Sequence, residues 1–354
     1  MVLRSQLPTA ATISTESVGK KKKGSILAFQ TEMQEEDFLS EDNYRKKLES
    51  YFIASIDAGF LSAYPKKNGN KIVALPEYVG TWLIISGEDK GILSKKTSDE
   101  VLKAIILRNP FGFILRLLSP GTIDKSIKNW VIKAAFNLKA EKMASVFHQV
   151  MSGLSSKYGV MIVAGSLVVP NPTIEKSSLK TSPGKLYNTS IVYNADGTPD
   201  TKVTRKLHPI DEELGFSACG IGKDLHVYET PLGKMLLLIC ADGWYQEHYK
   251  KADFCIVPSN LTPDTLYDAP FTGFGLTPMP REIDAQDFGK ITGAEARVKY
   301  GPVGQAIKAK MPMALELEEQ GGFFDIHAKC RSALLLGKKI RRFLPGPRVI
   351  EIRV

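Results

Sequence analysis

Three residues of this chain stand where a nucleophile, a proton acceptor and a cation could serve one reaction. Cys240 follows the apolar run Lys234 to Ile239 and precedes Ala241-Asp242-Gly243, a string able to turn the chain. A thiol at a strand end, beneath a helix running on from Trp244 to Lys251, would have its thiolate stabilised by the helix dipole and backbone N–H groups. The same N–H groups, that of Ala241 among them, could hold a developing oxyanion. Glu77 follows the apolar segment Lys71 to Pro76. A carboxylate there can take a thiol proton and return it to a leaving amine. Lys206 closes the segment Lys202 to Lys206. Beside a cysteine it would favour the thiolate and polarise a carbonyl. Singly, each has an ordinary explanation: a core thiol, a solvated glutamate, a strand-end lysine.

The elements around them give the grouping meaning. Ser25 to Gln30 and Lys71 to Pro76 read as buried strands, and Val160 to Val169 as another. Glu35 to Ala58 reads as an amphipathic helix through Leu48, Phe52 and Ile56, and Glu141 to Tyr158 as a helix through Ala144, Phe147 and Met151. Tyr187 to Tyr193 is a strand running into Asn194-Ala195-Asp196-Gly197, a hairpin signal with Lys202 to Lys206 as its return. His226 to Glu229 pairs with Lys234 to Ile239 around Pro231-Leu232-Gly233, and Phe254 to Pro258 is a further strand. Helices and strands alternate early and hairpins follow, which predicts an α/β fold with a large mixed sheet. Each of the three residues then lies at a strand end.

Residues 1–24 read as a disordered basic tail ending in Lys20 to Lys23, and residues 25–354 as one domain. Within it, 81–140 is an addition holding ten Lys or Arg and five Asp or Glu, with apolar clusters at Val101–Leu107, Phe111–Leu118 and Trp130–Leu138. That is too apolar for a solvated loop of this length. Apolar clusters among basic residues suit a lid, a dimer contact or a peripheral membrane contact. A second segment, Leu261 to Gly301, carries Pro, Gly and Tyr267, Phe271, Phe274 and Phe288, a composition suited to shaping a pocket.

The strings around the three residues resemble those of the nitrilase, or carbon–nitrogen hydrolase, superfamily. Leu75-Pro76-Glu77, Arg205-Lys206-Leu207-His208-Pro209 and Leu238-Ile239-Cys240-Ala241-Asp242-Gly243-Trp244-Tyr245-Gln246-Glu247 match its Glu, Lys and Cys motifs in order. Ala28-Phe29-Gln30, Ala164-Gly165-Ser166, Tyr187-Asn188-Thr189, Ala252-Asp253 and Val257-Pro258-Ser259 match the flanking strings. The likeness covers most of 25–260 and thins beyond Asn260, where Thr292–Lys310 corresponds to a later helix. It implies a four-layer α-β-β-α sandwich, commonly a dimer, and a catalytic triad of Glu77, Lys206 and Cys240. It also implies a second acidic residue after the lysine, matched by Glu213 with Glu212 adjacent. Tyr78 and Trp244, neighbours of the triad, are the candidate substrate contacts, and the Ala241 N–H the oxyanion donor.

The resemblance implies hydrolysis of a non-peptide carbon–nitrogen bond through a Cys240 thioester, with no cofactor and no metal. Ala241 departs from the aromatic residue usual after the cysteine, and Asp242-Gly243-Trp244-Tyr245 looks more like the amidase and carbamoylase branches. An amide is therefore favoured over a nitrile. Acyl transfer to an amine and an idle scaffold binding a membrane or partner remain as alternatives. The net charge of +9 suits an acidic surface, yet no nucleic-acid recognition motif is present. Four cysteines without zinc-ligand spacing fit a reducing, cytoplasmic setting, with membrane contact confined to the periphery.

Overall fold

The computed structural model describes residues 12–20, 24–249, 251–261, 264–273, 275 and 278–354. Two six-stranded sheets form its centre. The first is ordered Ser14–Val18, Arg348–Arg353, Ser25–Gln30, Lys71–Ala74, Met161–Val163, Val192–Tyr193. The second is ordered His226–Thr230, Gly233–Leu237, Phe254–Ser259, Met313–Glu318, Ala333–Leu336, Lys339–Arg342.

Alternation along each strand sorts side chains into layers. From the first sheet, Ile26, Ala28, Ile72, Ala74, Ile350 and Ile352 face Met235, Leu237, Ile256, Leu315 and Leu334 of the second. Their alternates Leu27, Phe29, Val73 and Ile162 pack against Leu48, Phe52, Phe147 and Met151. These four belong to helices α1 (Glu41–Asp57) and α4 (Ile127–Tyr158). On the far side, Leu236, Cys255, Val257 and Ala314 pack on Val303 and Ala306 of helix α7 (Pro302–Lys308). The result is the α-β-β-α layering expected from the motifs.

Several boundaries differ from the sequence reading. Ser14–Val18 is a strand parallel to Arg348–Arg353, so residues 14–18 are no disordered tail. This strand covers what would otherwise be an open sheet edge, and Glu16 binds Arg341 and Arg348 there. Residues 1–11 and Lys21 to Lys23 lie outside the described residues. The expected strand Val160 to Val169 is two strands in different sheets, Met161–Val163 and Leu167–Pro170. Gly165, at φ +61°, divides them. Thr292–Lys310 is two helices, α6 (Gly293–Tyr300) and α7, divided at Gly301-Pro302.

The 81–140 addition is largely helical. It contains α2 (Ser98–Arg108), α3 (Pro110–Leu117) and the first turns of α4, which begins at Ile127 rather than Glu141. Its inner residues Val101, Ile105 and Phe136 join the core. Among the described residues, no helix is long and apolar enough to cross a membrane.

Candidate active site

Glu77 and Cys240 follow strands of the two six-stranded sheets, and Lys206 follows a strand of a separate three-stranded sheet, each through a short, tightly held connection. Beyond Lys71–Ala74, the Leu75 N–H donates to the Val163 carbonyl at 3.0 Å, carrying the sheet pattern on to Pro76 and Glu77. The next residue, Tyr78, has φ +62°, unusual for a side chain of this size. Its N–H donates to Ser166 Oγ at 2.9 Å. Gly165 makes room for this turn: a Cβ there would stand 2.1 Å from the Pro76 carbonyl oxygen. The Gly-Ser string thus fixes the direction in which Glu77 leaves the sheet.

Lys206 follows a two-residue strand, Thr204–Arg205, that pairs antiparallel with Leu186–Ser190. Its N–H donates to the Asn188 carbonyl at 2.9 Å. On the other flank, Asp242 Oδ1 accepts the N–H groups of Leu207 at 2.9 Å and His208 at 2.8 Å. Asp242 lies two residues past Cys240, so the lysine loop and the cysteine loop are tied together.

Cys240 follows Gly233–Leu237 and opens a five-residue 3₁₀ turn, Cys240–Trp244. Its φ is +47°, so Cys240, like the residue after Glu77, is backbone-strained. The helix expected from Trp244 to Lys251 is not formed. A second short 3₁₀ turn, Gln246–His248, follows instead, and Lys250 lies outside the described residues. Packing explains the interruption. Gly243 presses on Pro302, where a Cβ would come within 2.7 Å of the Pro302 ring, and Trp244 turns into a cluster with Phe271, Ala296 and Tyr300. The helix dipole invoked from sequence is therefore reduced to a single turn.

Glu77, Lys206 and Glu213 meet in the interior. Lys206 Nζ lies 2.9 Å from Glu77 Oε1 and 2.7 Å from Glu213 Oε2, with all three side chains buried. Glu213 sits on the short helix α5 (Asp211–Leu214), where its Oε2 also accepts the Ile210 N–H at 2.8 Å. Glu212, its neighbour, is exposed, so of the two it is Glu213 that the structure brings to Lys206. Tyr78 donates its hydroxyl to Glu213 Oε1. Asn188 Nδ2 donates to Glu77 Oε1 at 2.8 Å. Glu77 Oε1 therefore takes two hydrogen bonds, while its buried Oε2 takes none among the described residues.

The electrostatics follow from burial. Desolvation raises the Cys240 thiol well above its ordinary value; the charge of Glu77 adds to this, and Lys206 and Arg297 pull against it. Desolvation opposes charge on Lys206, but Cys240 and Glu77 outweigh it and the ammonium is retained. Burial, then Glu77, raises Glu213 well above the carboxylate range. Burial pushes Asp242 up to about 7 against its two backbone hydrogen bonds and Lys206.

Of the proposed substrate contacts, Tyr78 is half-buried against Glu213, whereas Trp244 is only 3% exposed and stacks on Phe271. Ala241 is buried beside Trp244. Sequence reasoning passed over Asn188 and Ser166 as individual residues, although a buried strand containing an amide was a usable signal. It also missed a second ionic cluster, in which Arg297 is clamped between Glu316 and Glu318, all buried. Burial pushes Glu318 up to about 8 despite Arg297. Nothing in the local sequence links a helix arginine to two strand carboxylates. Nearby, the Cys240 sulfur lies 3.8 Å from the Asn260 carbonyl oxygen, and Asn260 Nδ2 donates to the buried Glu319 at 2.8 Å.

Similarity to known proteins agrees with this architecture. The family model for carbon–nitrogen hydrolases matches residues 47–253, more than half of the chain. The chain belongs to the carbon–nitrogen hydrolase family, within the nitrilase superfamily. A stretch of 120 residues is 33% identical to the omega-amidase NIT2 of Danio rerio, covering 32% of this chain and 39% of that protein. The chain thus spans well under half the length of this curated relative. Among solved structures, a carbon–nitrogen hydrolase from Helicobacter pylori G27 superposes with TM-score 0.54 at 16% identity, over 93% of this chain and 89% of that one. An amidase double mutant from Nesterenkonia sp. AN1 in complex with acrylamide gives TM-score 0.52 at 11% identity, over 94% and 92%. Both share the fold.

Proposed function

We propose that this carbon–nitrogen hydrolase cleaves an amide through a thioester on Cys240, with Glu77 as the proton carrier. The observation that carries this reading is the asymmetry of Glu77. Its Oε1 is held by Lys206 and Asn188, and its buried Oε2 takes no hydrogen bond among the described residues. A carboxylate oriented at one oxygen and open at the other suits proton transfer at the open one.

The steps follow. Glu77 Oε2 takes the thiol proton as the sulfur bonds to the amide carbon. The carbonyl π electrons move onto oxygen, where Lys206 and the Ala241 N–H oppose the developing charge. The C–N bond breaks as the oxyanion re-forms the carbonyl, and the nitrogen leaves with the proton held by Glu77. A water molecule then gives a proton to Glu77 and its oxygen to the thioester carbon. The S–C bond breaks, the acid departs, and the proton on Glu77 returns to the sulfur. The raised thiol value fits this order, because proton removal coincides with attack. Glu213 and Tyr78 position Lys206.

The partial relative, named as an omega-amidase, and Asp242-Gly243-Trp244-Tyr245 both favour an amide over a nitrile. A panel of short and long amides read out as ammonia or amine release identifies the substrate. With that substrate, intact-protein mass spectrometry should find an acyl adduct that maps to Cys240. Full turnover by Cys240→Ala would overturn the mechanism.

A further inference from the structure

Helix α3 is apolar on both sides. Phe113 points inward against Ala134 and Ala135 of α4, with Leu117 packed beside them. Phe111, Ile114, Leu115 and Leu118 recur at the spacing i, i+3, i+4, i+7 and share the opposite face. That face is uncovered: Phe111 is 83% exposed, and Leu115 and Leu118 are each 71% exposed. Leu107 at the end of α2, Ile123 in the connection between α3 and α4, and Ile127 at the start of α4 are also largely exposed. Isolated exposed apolar residues are ordinary, but a helix face of this kind is not.

The protrusion is built to hold its shape. The Trp130 indole N–H donates to the Leu117 carbonyl at 2.7 Å, and Thr122 Oγ1 donates toward the carbonyl oxygens at the end of α3. The Asn109 side chain accepts the Gly112 N–H at 3.1 Å at its start. Such anchoring leaves the outer side chains presented rather than collapsed.

The surrounding charge indicates what covers this face. Between Val101 and Lys133 stand Lys103, Arg108, Arg116, Lys125, Lys128 and Lys133 against one acidic residue, Asp124. Arg108 is neutralised by Glu88 and Asp89, Lys128 by Asp99 from the first turn of α2, and Lys133 by Asp124. Lys103, Arg116 and Lys125 have no ion pair among the described residues. An apolar helix face in a segment that also carries three unneutralised cations complements anionic lipid: apolar side chains enter the acyl boundary while cations meet headgroups. A second copy of this chain would fit worse, because a two-fold contact brings the same unneutralised cations toward one another.

We propose that α3, with Leu107, Ile123 and Ile127, docks the enzyme onto anionic membrane surfaces. The test is flotation of the full-length protein with vesicles of phosphatidylcholine alone and of phosphatidylcholine with an equal amount of phosphatidylglycerol. The expected result is at least about tenfold more bound protein on the anionic vesicles, weakened by added salt. The double substitution Phe111→Ser with Leu115→Ser should lower binding by about tenfold or more while leaving the melting temperature unchanged, since both side chains are exposed. Replacing Lys103 and Lys125 by Glu should abolish the preference for anionic vesicles with the apolar face intact. The proposal is overturned if the wild-type protein floats with neither vesicle, or if the Phe111/Leu115 variant floats as well as wild type. It is also overturned if sedimentation shows a wild-type dimer that this variant dissociates, with no vesicle binding. That last result would assign the face to a second copy.

Discussion

Replacing Glu77 by Gln tests the division of labour between its two oxygens. The amide oxygen of Gln can still accept from Lys206 Nζ and Asn188 Nδ2, now 2.9 Å and 2.8 Å from Glu77 Oε1. What is lost is a group able to take a proton at the second position. Lys206 keeps Glu213 at 2.7 Å, so no buried cation is stranded. Removing the field of Glu77 also relieves Glu213, whose acidity that field suppresses. Stability should therefore change by no more than about 2 kcal/mol, well short of the loss from breaking an isolated buried pair. Activity should behave differently. Positioned acid–base catalysis contributes about 10²–10⁴-fold, or roughly 3–5 kcal/mol of barrier. In single-turnover measurements, Cys240 acylation should slow by that factor, with KM changed less than about threefold. The matching control is the melting temperature of the same preparation. A Glu77→Gln enzyme that keeps more than about a tenth of wild-type kcat would refute Glu77 as proton carrier. A variant that loses activity only in proportion to lost folded protein would reduce it to a structural residue.

Three further outcomes follow from the geometry. Gly165→Ala would put a Cβ 2.1 Å from the Pro76 carbonyl at φ +61°, so urea denaturation should show a loss of about 3 kcal/mol or more. Arg297→Met would leave Glu316 and Glu318 in the interior without their cation and should cost about 3–5 kcal/mol in the same urea measurement. Asp242 gives a pH dependence of definite sign. Burial raises its folded value to about 7 from 3.8, so the neutral form is favoured in the folded state. Its contribution is fully present below pH 4 and is lost as pH rises through 7. Thermal melts should therefore show Asp242→Asn gaining on wild type between pH 4 and pH 8, by a few kcal/mol at most. A constant difference would contradict this assignment.

What could be read from sequence and what could not divide along physical lines. The grouping of Glu77 with Lys206, 2.9 Å apart in the structure, was legible because each lies at a strand end in a distinctive string, as Cys240 does. The layers were implied by the family resemblance alone, and the sorting of Ile26 and Ala28 to one face and Leu27 and Phe29 to the other is seen only in the structure. The helix after Cys240 was misread because its apolar and aromatic residues suit one, while the packing of Gly243 on Pro302 is a contact across 59 positions of chain. The Arg297 cluster was invisible for the same reason: its partners come from a strand beyond another helix. Ser14–Val18 reads as polar tail in isolation and becomes a strand only because Arg348–Arg353 offers it an edge.

The long-range contacts missed from sequence are also those that aim the site. Cys240 and Tyr78 both adopt positive φ, at +47° and +62°. Neither conformation is favoured locally, so each must be over-determined by its surroundings. For Tyr78 the constraints are Ser166 at its N–H and Glu213 at its hydroxyl. For Cys240 they include Asp242, whose carboxylate gathers the two amides following Lys206. Asp242 thereby links the cysteine turn to the lysine loop, as Tyr78 links the Glu77 turn to Glu213. The strain at the two turns is held by polar contacts among the motifs themselves. A substitution at Ser166 or Asp242 should therefore act on the geometry of Glu77 or Cys240 before it acts on the stability of either sheet.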